Sequence, residues 1–358
     1  MQSERLLNVD DYARAARARL AKDCLDYYEG GALDEITLRE NVAGWERLKL
    51  YYRVLAGVGA RDMRTTVLGR PISMPIVVAP TAFHRLACDE GEVAAARAAR
   101  AAETLFILSS LSNTPMEAVF AESGSPQWFQ LYVYKDREVT RALVERTEAA
   151  GAEAIVLTVD TPGLGTRERD MRNRFTLPEG LAVANLAPLG KGELPEVSGS
   201  GLAAYVRENF RSLSFEDLDW LCSVTRLPVV VKGVCRADDA RRIVEHGVKA
   251  IVVSNHGGRQ LDTAPATSEV LPHVADAVGD RCEVYVDGGI RRGSDVLKAI
   301  ALGARAVLVG RPVLWGLSVD GEQGATHILQ ILRRELDEAM LLCGCTSLSD
   351  IDRSLLSP

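Results

Sequence analysis

Four short apolar runs recur between Pro228 and Gly310 and give the first indication of the fold: PVVVK (228–232), AIVVSN (250–255), EVYVD (283–287) and AVLVG (306–310). Four similar runs precede them: IVVAP (76–80), FILSS (106–110), WFQLY (128–132) and AIVLTVD (154–160). The runs are rich in β-branched residues and almost continuously apolar, which is typical of strands buried on both faces.

Longer amphipathic stretches separate these runs and predict helices, for example over 90–102, 137–150, 237–246 and 293–302. Eight strand–helix units in succession place the chain in the α/β class and predict a parallel (β/α)8 TIM barrel. A doubly wound open sheet is the alternative that the periodicity leaves open.

The residues before the first strand predict a helical N-terminal extension over 1–75. One helix is expected from Asp10 or Asp11, either of which can cap it, to about Glu29, where two glycines follow. A second helix is expected over 34–45.

The rest of the chain is predicted to complete a single domain over 1–358, with the barrel over 76–318 and a C-terminal helix over 319–358. The connection after the fourth strand is unusually long. Its part 178–213 is rich in Gly, Pro and Ser and has little periodicity, so we expect a mobile lid there.

The composition excludes several classes of protein. With 47% apolar residues, 25% charged residues and a net charge of −7, the chain is neither a disordered protein nor a basic nucleic-acid binder. No apolar run reaches the roughly 18 residues of a membrane helix, and the N-terminus lacks the apolar core of a signal peptide. The seven cysteines are scattered and lack zinc spacing, which indicates reduced thiols in the cytoplasm and no metal site.

The carboxyl ends of the predicted strands carry the side chains expected to do chemistry, because barrels build their sites there. Gly288-Gly289 with Arg291, and Gly310-Arg311, follow the last two strands and suit a phosphate group, since backbone N–H groups and guanidinium groups bind phosphate. Tight turns with solvated arginines are the alternative.

The same strand ends are also expected to bind a planar heterocycle. Gln130 and Thr158 are uncharged hydrogen-bonding residues suited to the edge of a polar ring. Lys232 ends a buried strand and needs an anionic or electron-rich partner, although an ion pair with a neighbouring carboxylate would also explain it. A ring at the barrel mouth with its phosphate at the last two strands has the shape of FMN.

His256 differs from the other histidines because it lies at a strand end, with Asp160 available from another strand to orient it. Arg259 and Arg167 could hold a small carboxylate through paired N–H groups. Metal binding by His256 is disfavoured because no second histidine lies at ligand spacing. By composition alone, the basic cluster around Arg167 could also be a solvated surface.

The motifs SNHGGRQLD (254–262), LTVDTPGLGTRERDMRNRF (157–175), FQLYV (129–133), DGGIRRGSDVLKA (287–299) and VGRP (309–312) identify a family resemblance. The chain resembles, over essentially its whole length, the FMN-dependent α-hydroxy-acid oxidases and dehydrogenases. This family includes glycolate oxidase, lactate oxidase, long-chain hydroxyacid oxidase and mandelate dehydrogenase.

The resemblance implies catalytic roles for six residues. His256 would be the base that takes the substrate hydroxyl proton, and Asp160 would pair with it. The substrate carboxylate and oxygen atoms would be bound by Arg259, Arg167, Tyr132 and Tyr27.

The resemblance also implies the residues that would bind FMN. They are Pro80, Thr81, Ala82, Ser109, Gln130, Thr158, Lys232, Ser254, Asp287, Gly288, Gly289, Arg291, Gly310 and Arg311. Among these, Lys232 would stabilise negative charge on the reduced flavin.

Three positions bear on the substrate and the electron acceptor. Leu111 stands where many glycolate oxidases have Trp, which should admit a longer or bulkier side chain than that of glycolate. Ala82 matches the oxidases, since several dehydrogenases have Gly there. Thr166 replaces an Arg of some relatives, so Arg167 alone would supply the second carboxylate contact.

The resemblance therefore implies an (S)-2-hydroxy-acid oxidase that uses FMN and O2, assembles as a homotetramer and contacts neither nucleic acid nor membrane. The alternatives are a dehydrogenase with a quinone or cytochrome acceptor, another FMN barrel such as a type 2 isopentenyl diphosphate isomerase or an inosine monophosphate dehydrogenase, and a flavin-binding protein without catalysis.

Overall fold

The computed structural model describes residues 6–124 and 127–356 and contains a closed barrel of parallel strands. A short antiparallel hairpin, β1 (Thr65–Val67) and β2 (Arg70–Ile72), precedes the barrel. The barrel strands are β3 (Ile76–Val78), β4 (Phe106–Ser109), β5 (Gln127–Leu131), β6 (Ile155–Thr158), β7 (Val229–Val234), β8 (Ala250–Val253), β9 (Glu283–Val286) and β10 (Ala306–Val309). Because β10 pairs with β3, the ring has no free edge, which confirms the predicted TIM barrel and excludes the open sheet.

Side chains on the barrel strands alternate between two buried environments, which explains the continuously apolar runs. One set fills the barrel interior and packs against Val67 and Ile72 of the β1–β2 hairpin. The hairpin lies at the amino-terminal end of the strands, where the Leu68 amide donates to Glu283 at the start of β9 (3.1 Å). The other set packs against the surrounding helices.

The N-terminal extension contains three helices: α1 (Val9–Arg17), α2 (Lys22–Glu29) and α3 (Ile36–Arg47). The predicted single helix to Glu29 is therefore wrong. The N-cap is Asn8, whose side chain accepts from the Asp11 amide, and the chain leaves the helix after Arg17. Because the chain breaks between α1 and α2, each helix can bury its own apolar face. In α2 the buried residues are Cys24, Tyr27 and Tyr28. The helix expected over 34–45 corresponds to α3.

The helices outside the barrel follow the predicted pattern. They are α4 (Gly91–Ala101), α5 (Met116–Ser123), α6 (Arg137–Ala149), α7 (Glu168–Arg172), α8 (Gly201–Asn209), α9 (Phe215–Val224), α10 (Ala237–Glu245), α11 (Thr267–Val278), α12 (Gly293–Ala301) and α13 (Arg311–Cys343). The helices predicted over 90–102, 137–150, 237–246 and 293–302 are α4, α6, α10 and α12. None of the described helices is long and apolar enough to cross a bilayer.

The stretch 178–213, here called the covering segment, contains more structure than the sequence indicated. It includes α8, whose Leu202 and Val206 are buried together with Phe210 just after the helix. The sequence did not indicate this helix, because its apolar stripe spans barely two turns and gives little periodic signal. The mobility expected of the segment stays a prediction. Hydrogen bonds from the Gly201 amide to the Phe175 carbonyl (2.8 Å) and from the Arg211 amide to the Val133 carbonyl (2.9 Å) hold both ends of α8.

The C-terminal part differs from the predicted helix over 319–358. Helix α13 begins at Arg311, is interrupted at Asp320 and Gly321, and ends at Cys343. The chain then turns back because Cys345 and Leu355 are buried in the core, which a continued helix would prevent. Residues 1–5 and 357–358, at the ends of the predicted extension and helix, lie outside the described residues.

Candidate active site

A ring of mostly polar residues, here called the polar ring, lies at the barrel mouth. Its position follows from the strand geometry, because every second residue of a strand points to the same face. The apolar interior layer consists of Val77, Ile107, Trp128, Val156, Val230, Val252, Tyr285 and Leu308. Two residues further along each chain segment come Ala79, Ser109, Gln130, Thr158, Lys232, Ser254, Asp287 and Gly310. Because all strands are parallel, these residues meet at the carboxyl end of the barrel.

A cavity of about 1090 Å³, part of which is open to solvent, lies above this ring. Every predicted site residue except Asp160 and Ser254 lines it. Those two lie just behind it, since Asp160 contacts the His256 ring and the Ser254 hydroxyl contacts Lys232. The structure therefore brings the whole predicted set together.

An apolar wall of the same cavity was mostly missed by the sequence analysis, which identified only Leu111. The wall also contains Leu164, Leu202, Val206 and Phe210. Leu202, Val206 and Phe210 lie four residues apart in the sequence, and this helical spacing was the signal that could have identified the wall. Their position over the cavity depends on how the covering segment folds back.

His256 is held by a carboxylate in the orientation that suits a base. Its Nδ1 lies 2.8 Å from Asp160 Oδ1, and its backbone has a φ of 58°, a strained left-handed conformation for a residue other than glycine. Burial lowers the pKa of His256 below its ordinary value, and nearby Lys232 and Arg167 lower it further, against the opposing effect of Asp160. The imidazole is therefore neutral near pH 7. With Nδ1–H donated to Asp160, its Nε2 is free to accept a proton.

Gly233 makes room for Asp160. Strand β7 shifts register against β8 between Lys232 and Val234, and Gly233 has a φ of 111°. A Cβ atom there would lie 2.6 Å from Asp160 Cβ, so any side chain would displace the carboxylate. The bulge thus allows Lys232 and Asp160 to reach the same region.

Two arginines form a cationic region beside His256. Arg167 is 5% exposed, and its Nη1 lies 4.0 Å from Asp170 Oδ2. Burial lowers the pKa of Arg167 to about 10, and the charge of Arg259 contributes in the same direction. A bound anion would relieve this repulsion, so the pair is suited to a carboxylate.

The carboxyl end of α2 holds two arginines in place. Arg259 Nη1 donates to the carbonyls of Tyr27 (2.6 Å) and Gly30 (2.9 Å), and Arg311 Nη2 donates to the same Gly30 carbonyl (3.1 Å). Carbonyl groups at the end of a helix attract cations. The N-terminal extension is therefore part of the site.

Two tyrosines flank the arginines, of which Tyr27 is buried and Tyr132 is half-buried. The Tyr27 ring stacks on Phe175 with centroids 4.3 Å apart, and the Tyr132 ring stacks on Phe210 at 4.5 Å. Burial raises the pKa of both phenols above the ordinary value, so both stay protonated and can donate hydrogen bonds.

Lys232 has the carboxylate partner that the sequence left open, and it also lines the cavity. Its Nζ lies 3.0 Å from Asp287 Oδ2 and 2.9 Å from Ser254 Oγ. Although burial opposes the charged form, Asp287 and Asp160 hold the pKa of Lys232 above its ordinary value. The other oxygen of Asp287 is buried without a hydrogen-bond partner among the described residues, so it can accept from a ligand.

A hydrogen-bonded row of neutral side chains crosses the mouth of β4 to β6. Ser109 Oγ donates to Gln130 Oε1 (3.1 Å), and Gln130 Nε2 donates to Thr158 Oγ1 (3.0 Å). The row fixes the orientation of the Gln130 amide, which suits recognition of a polar ring edge.

The region after β9 and β10 is cationic and closely built. Gly289 has a φ of 83°, and a Cβ there would lie 1.9 Å from the Asn41 carbonyl oxygen, so only glycine fits. Burial lowers the pKa of Arg291 to about 10, and it lowers that of Arg311 well below the ordinary value, with help from neighbouring arginines. Among the described residues, Arg291 Nη1 donates to the Ile290 carbonyl (2.8 Å) and Arg311 Nη1 to the Gly257 carbonyl (3.0 Å), and neither guanidinium forms an ion pair with a carboxylate, as expected for a phosphate site.

These features fit FMN: a cationic pocket for its phosphate, a free Asp287 oxygen for a hydroxyl, and polar side chains for a ring. The family model described as FMN-dependent dehydrogenase matches residues 16–358. The L-lactate oxidase of Nostoc sp. (strain PCC 7120) is 52% identical over 357 residues, which cover 98% of each chain. The 2-hydroxyacid oxidase 1 of Homo sapiens is 49% identical, covering 98% of this chain and 96% of the relative.

A solved structure gives the same result. The crystal structure of mandelate oxidase with (S)-4-hydroxymandelic acid matches with a TM-score of 0.94 and 42% identity, covering 98% of each chain. The matches extend over nearly the full length of both partners, so they include every element that builds the cavity. The chain belongs to the FMN-dependent dehydrogenase family, and FMN is its cofactor.

Proposed function

We propose that the protein is an FMN-dependent (S)-2-hydroxy-acid oxidase that forms a 2-oxo acid and reduces O2 to hydrogen peroxide. The observation that carries this proposal is a neutral His256, oriented by Asp160, beside two arginines in one cavity. The names of the lactate, 2-hydroxyacid and mandelate oxidases support both the substrate class and the oxidase reaction.

The side chains of this chain would bind and deprotonate the substrate. Arg167 and Arg259 would hold the carboxylate, and the phenols of Tyr27 and Tyr132 would donate to its oxygen atoms. The hydroxyl proton would pass to His256 Nε2, and the Asp160 carboxylate would stabilise the resulting imidazolium.

When bound, FMN would supply the redox chemistry, namely uptake of the hydride equivalent lost from substrate C2 and transfer of the two electrons to O2, which with two protons gives hydrogen peroxide. The residues that would hold it are those implied by the resemblance, with Arg291 and Arg311 at the phosphate end and Gln130 at the ring. Lys232, kept charged by Asp287, would supply a fixed positive charge at the ring.

The oxidase assignment is tested by anaerobic stopped-flow reduction followed by mixing with O2. We expect a 2-hydroxy acid to bleach the flavin absorbance and O2 to restore it rapidly with release of peroxide. Reduction without reoxidation by O2 would instead favour a dehydrogenase with a quinone or cytochrome acceptor.

The role of His256 is tested by His256→Ala. We expect this variant to bind FMN but to lose flavin reduction by roughly 10²–10⁴-fold, the usual contribution of a general base. FMN titration and anaerobic stopped-flow measurements on the same preparation would separate the two effects. A near-normal reduction rate would show that another group takes the proton.

The apolar wall supports a substrate with an apolar side chain. Leu111, Leu164, Leu202 and Val206 line the cavity that Arg167 and Arg259 also line, and glycolate has no side chain to contact them. We therefore expect higher kcat/KM for 2-hydroxyoctanoate or (S)-mandelate than for glycolate. Peroxide production with these acids and with L-lactate would rank them.

The proposed assembly is a homotetramer and the proposed location is the cytoplasm. An exposed apolar patch formed by Tyr51, Tyr52, Val54, Leu55 and Leu342 supports self-association. The seven cysteines are all free thiols, which supports a reducing compartment.

A further inference from the structure

A fully buried polar cluster lies behind the cavity and takes no part in the proposed mechanism. Its charged member is Glu92, at the start of α4, and its aromatic member is His84, in the turn after β3. Both are 0% exposed. Buried groups of this kind are costly to the fold unless their hydrogen bonds are satisfied, so their partners indicate what they do.

Glu92 joins the two turns that carry cavity residues. Its Oε1 accepts from the His84 amide (3.0 Å) and the Asn113 amide (2.9 Å), and its Oε2 accepts from the Thr114 hydroxyl (2.8 Å). The first turn carries Thr81 and Ala82, and the second begins at Leu111. One carboxylate therefore links the two turns.

The turn 111–114 also connects to the covering segment. Asn113 Nδ2 donates to the Ala182 carbonyl (3.0 Å), and the Ala184 amide donates to the Ser112 carbonyl (2.9 Å). The Phe83 amide donates directly to the Leu111 carbonyl (3.2 Å), so the two turns are joined a second time.

His84 reaches from this cluster to the cavity wall. Its Nε2 lies 2.5 Å from the Thr81 hydroxyl oxygen, and its Nδ1 has no partner among the described residues. Burial lowers the pKa of His84, so the ring is neutral at pH 7. A charged ring would leave a buried N–H donor unpaired.

Thr81 is held from both sides. Its hydroxyl faces His84, while its methyl carbon would lie 3.0 Å from a Cβ atom placed on Gly310, at the phosphate end of the cavity. Without His84 the Thr81 side chain could rotate, and its methyl group would then leave its position beside Gly310.

We propose that His84 is a positioning residue for the cofactor: held by Glu92, it fixes the Thr81 side chain so that the cavity wall beside Gly310 matches FMN. The proposal depends on FMN binding in this cavity and not on the identity of the substrate.

The test measures the Kd for FMN with deflavinated protein, together with the melting temperature of each variant without FMN. His84→Phe keeps an aromatic ring but removes the hydrogen bond, and we expect about fivefold weaker FMN binding, the effect of one neutral hydrogen bond. His84→Gln retains a hydrogen-bonding group and should bind FMN nearly as the wild-type protein does.

A double-mutant cycle with Thr81→Val separates positioning from general destabilisation. Because both substitutions remove the same hydrogen bond, the His84→Phe/Thr81→Val variant should bind FMN no more weakly than either single variant. The matched control is His327→Phe, which removes a histidine–hydroxyl contact with Tyr12 (2.7 Å) away from the cavity and should leave the Kd unchanged.

Two results would overturn the proposal. One is an unchanged FMN Kd in His84→Phe, whatever its melting temperature, and the other is additive losses in the double variant. If His84→Phe fails to fold, an unchanged Kd in Thr81→Val has the same consequence. No substrate is needed in these measurements, so a failure here is distinct from a failure of the proposed oxidase activity.

Discussion

At the residue scale, the balance of charges around His256 determines its ability to act as a base. Burial and the cations Lys232 and Arg167 favour the neutral ring, while Asp160 favours the imidazolium. The two influences match the two stages of proton transfer, because the ring must begin neutral and end charged. Removing Asp160 should therefore change both the pKa and the rate.

The Asp160→Asn variant tests this balance. In the wild-type protein, flavin reduction should be constant near neutral pH and fall as the pH drops through the lowered pKa of His256. Without the carboxylate that pKa falls further, so the acid limb should move to lower pH. The plateau rate should drop roughly 10²–10⁴-fold, because the imidazolium loses its partner.

Stopped-flow reduction rates across a pH series provide the measurement. Asp219→Asn is the matched control, since Asp219 pairs with His246 at a distant and more exposed site. An acid limb that moved to higher pH in Asp160→Asn would contradict the assigned roles of burial and charge.

At the element scale, two helices outside the barrel complete its mouth. The carboxyl end of α2 holds Arg259 and Arg311 through backbone carbonyls, and α8 supplies the apolar wall. Both helices approach the mouth because their ends are tied to other segments, as the stacking of Phe210 on Tyr132 illustrates. The barrel thus provides the polar ring, and the added helices provide the fit to the substrate.

The contribution of α8 is tested by Val206→Thr. This change keeps the shape of the side chain but places a hydroxyl in the apolar wall, so kcat/KM for 2-hydroxyoctanoate should fall by about tenfold. The value for L-lactate, whose methyl group offers much less apolar surface to the wall, should change much less. Val224→Thr in α9 is the same substitution outside the cavity and serves as the control. Equal losses for both acids would show that α8 does not contact the substrate side chain.

At the scale of the whole molecule, the exposed apolar patch is the surface that we propose for self-association. Residues 51–55 lie beside the end of α13, where the Arg53 amide donates to the Cys343 carbonyl (3.3 Å). Leu55 and Leu342 are 101% and 63% exposed, which is a large apolar exposure for a single surface.

The Leu55→Glu/Leu342→Glu variant should therefore dissociate the proposed tetramer, because charges would be buried at the interface. Light scattering coupled to size exclusion gives the mass directly. Leu7→Glu, an exposed leucine outside the patch, should leave the mass unchanged. If the double variant kept the mass of the wild-type protein, the interface would lie on another face.

The eight strands and most residues of the polar ring could be predicted from the sequence, whereas the closure of the barrel against an open sheet was settled by the pairing of β10 with β3. Both predictions rest on local signals. Each apolar run indicates one strand, and every second residue of a strand faces the barrel interior, so the polar residues at the strand ends, such as Gln130 and Lys232, face it too. The same signals did not show the break between α1 and α2, because that break depends on which faces are buried by other segments.

The sequence analysis expected Asp160 to pair with His256, 96 residues away, but most other contacts of the site could be seen only in the tertiary structure. The contact between Arg259 and the Tyr27 carbonyl, for example, joins positions 232 residues apart. The pairing of Lys232 with Asp287, the apolar wall from α8 and the link from Glu92 to His84 are of the same kind. Periodicity and capping report on neighbours within a few turns, whereas contacts between distant segments depend on how the closed barrel brings their ends together.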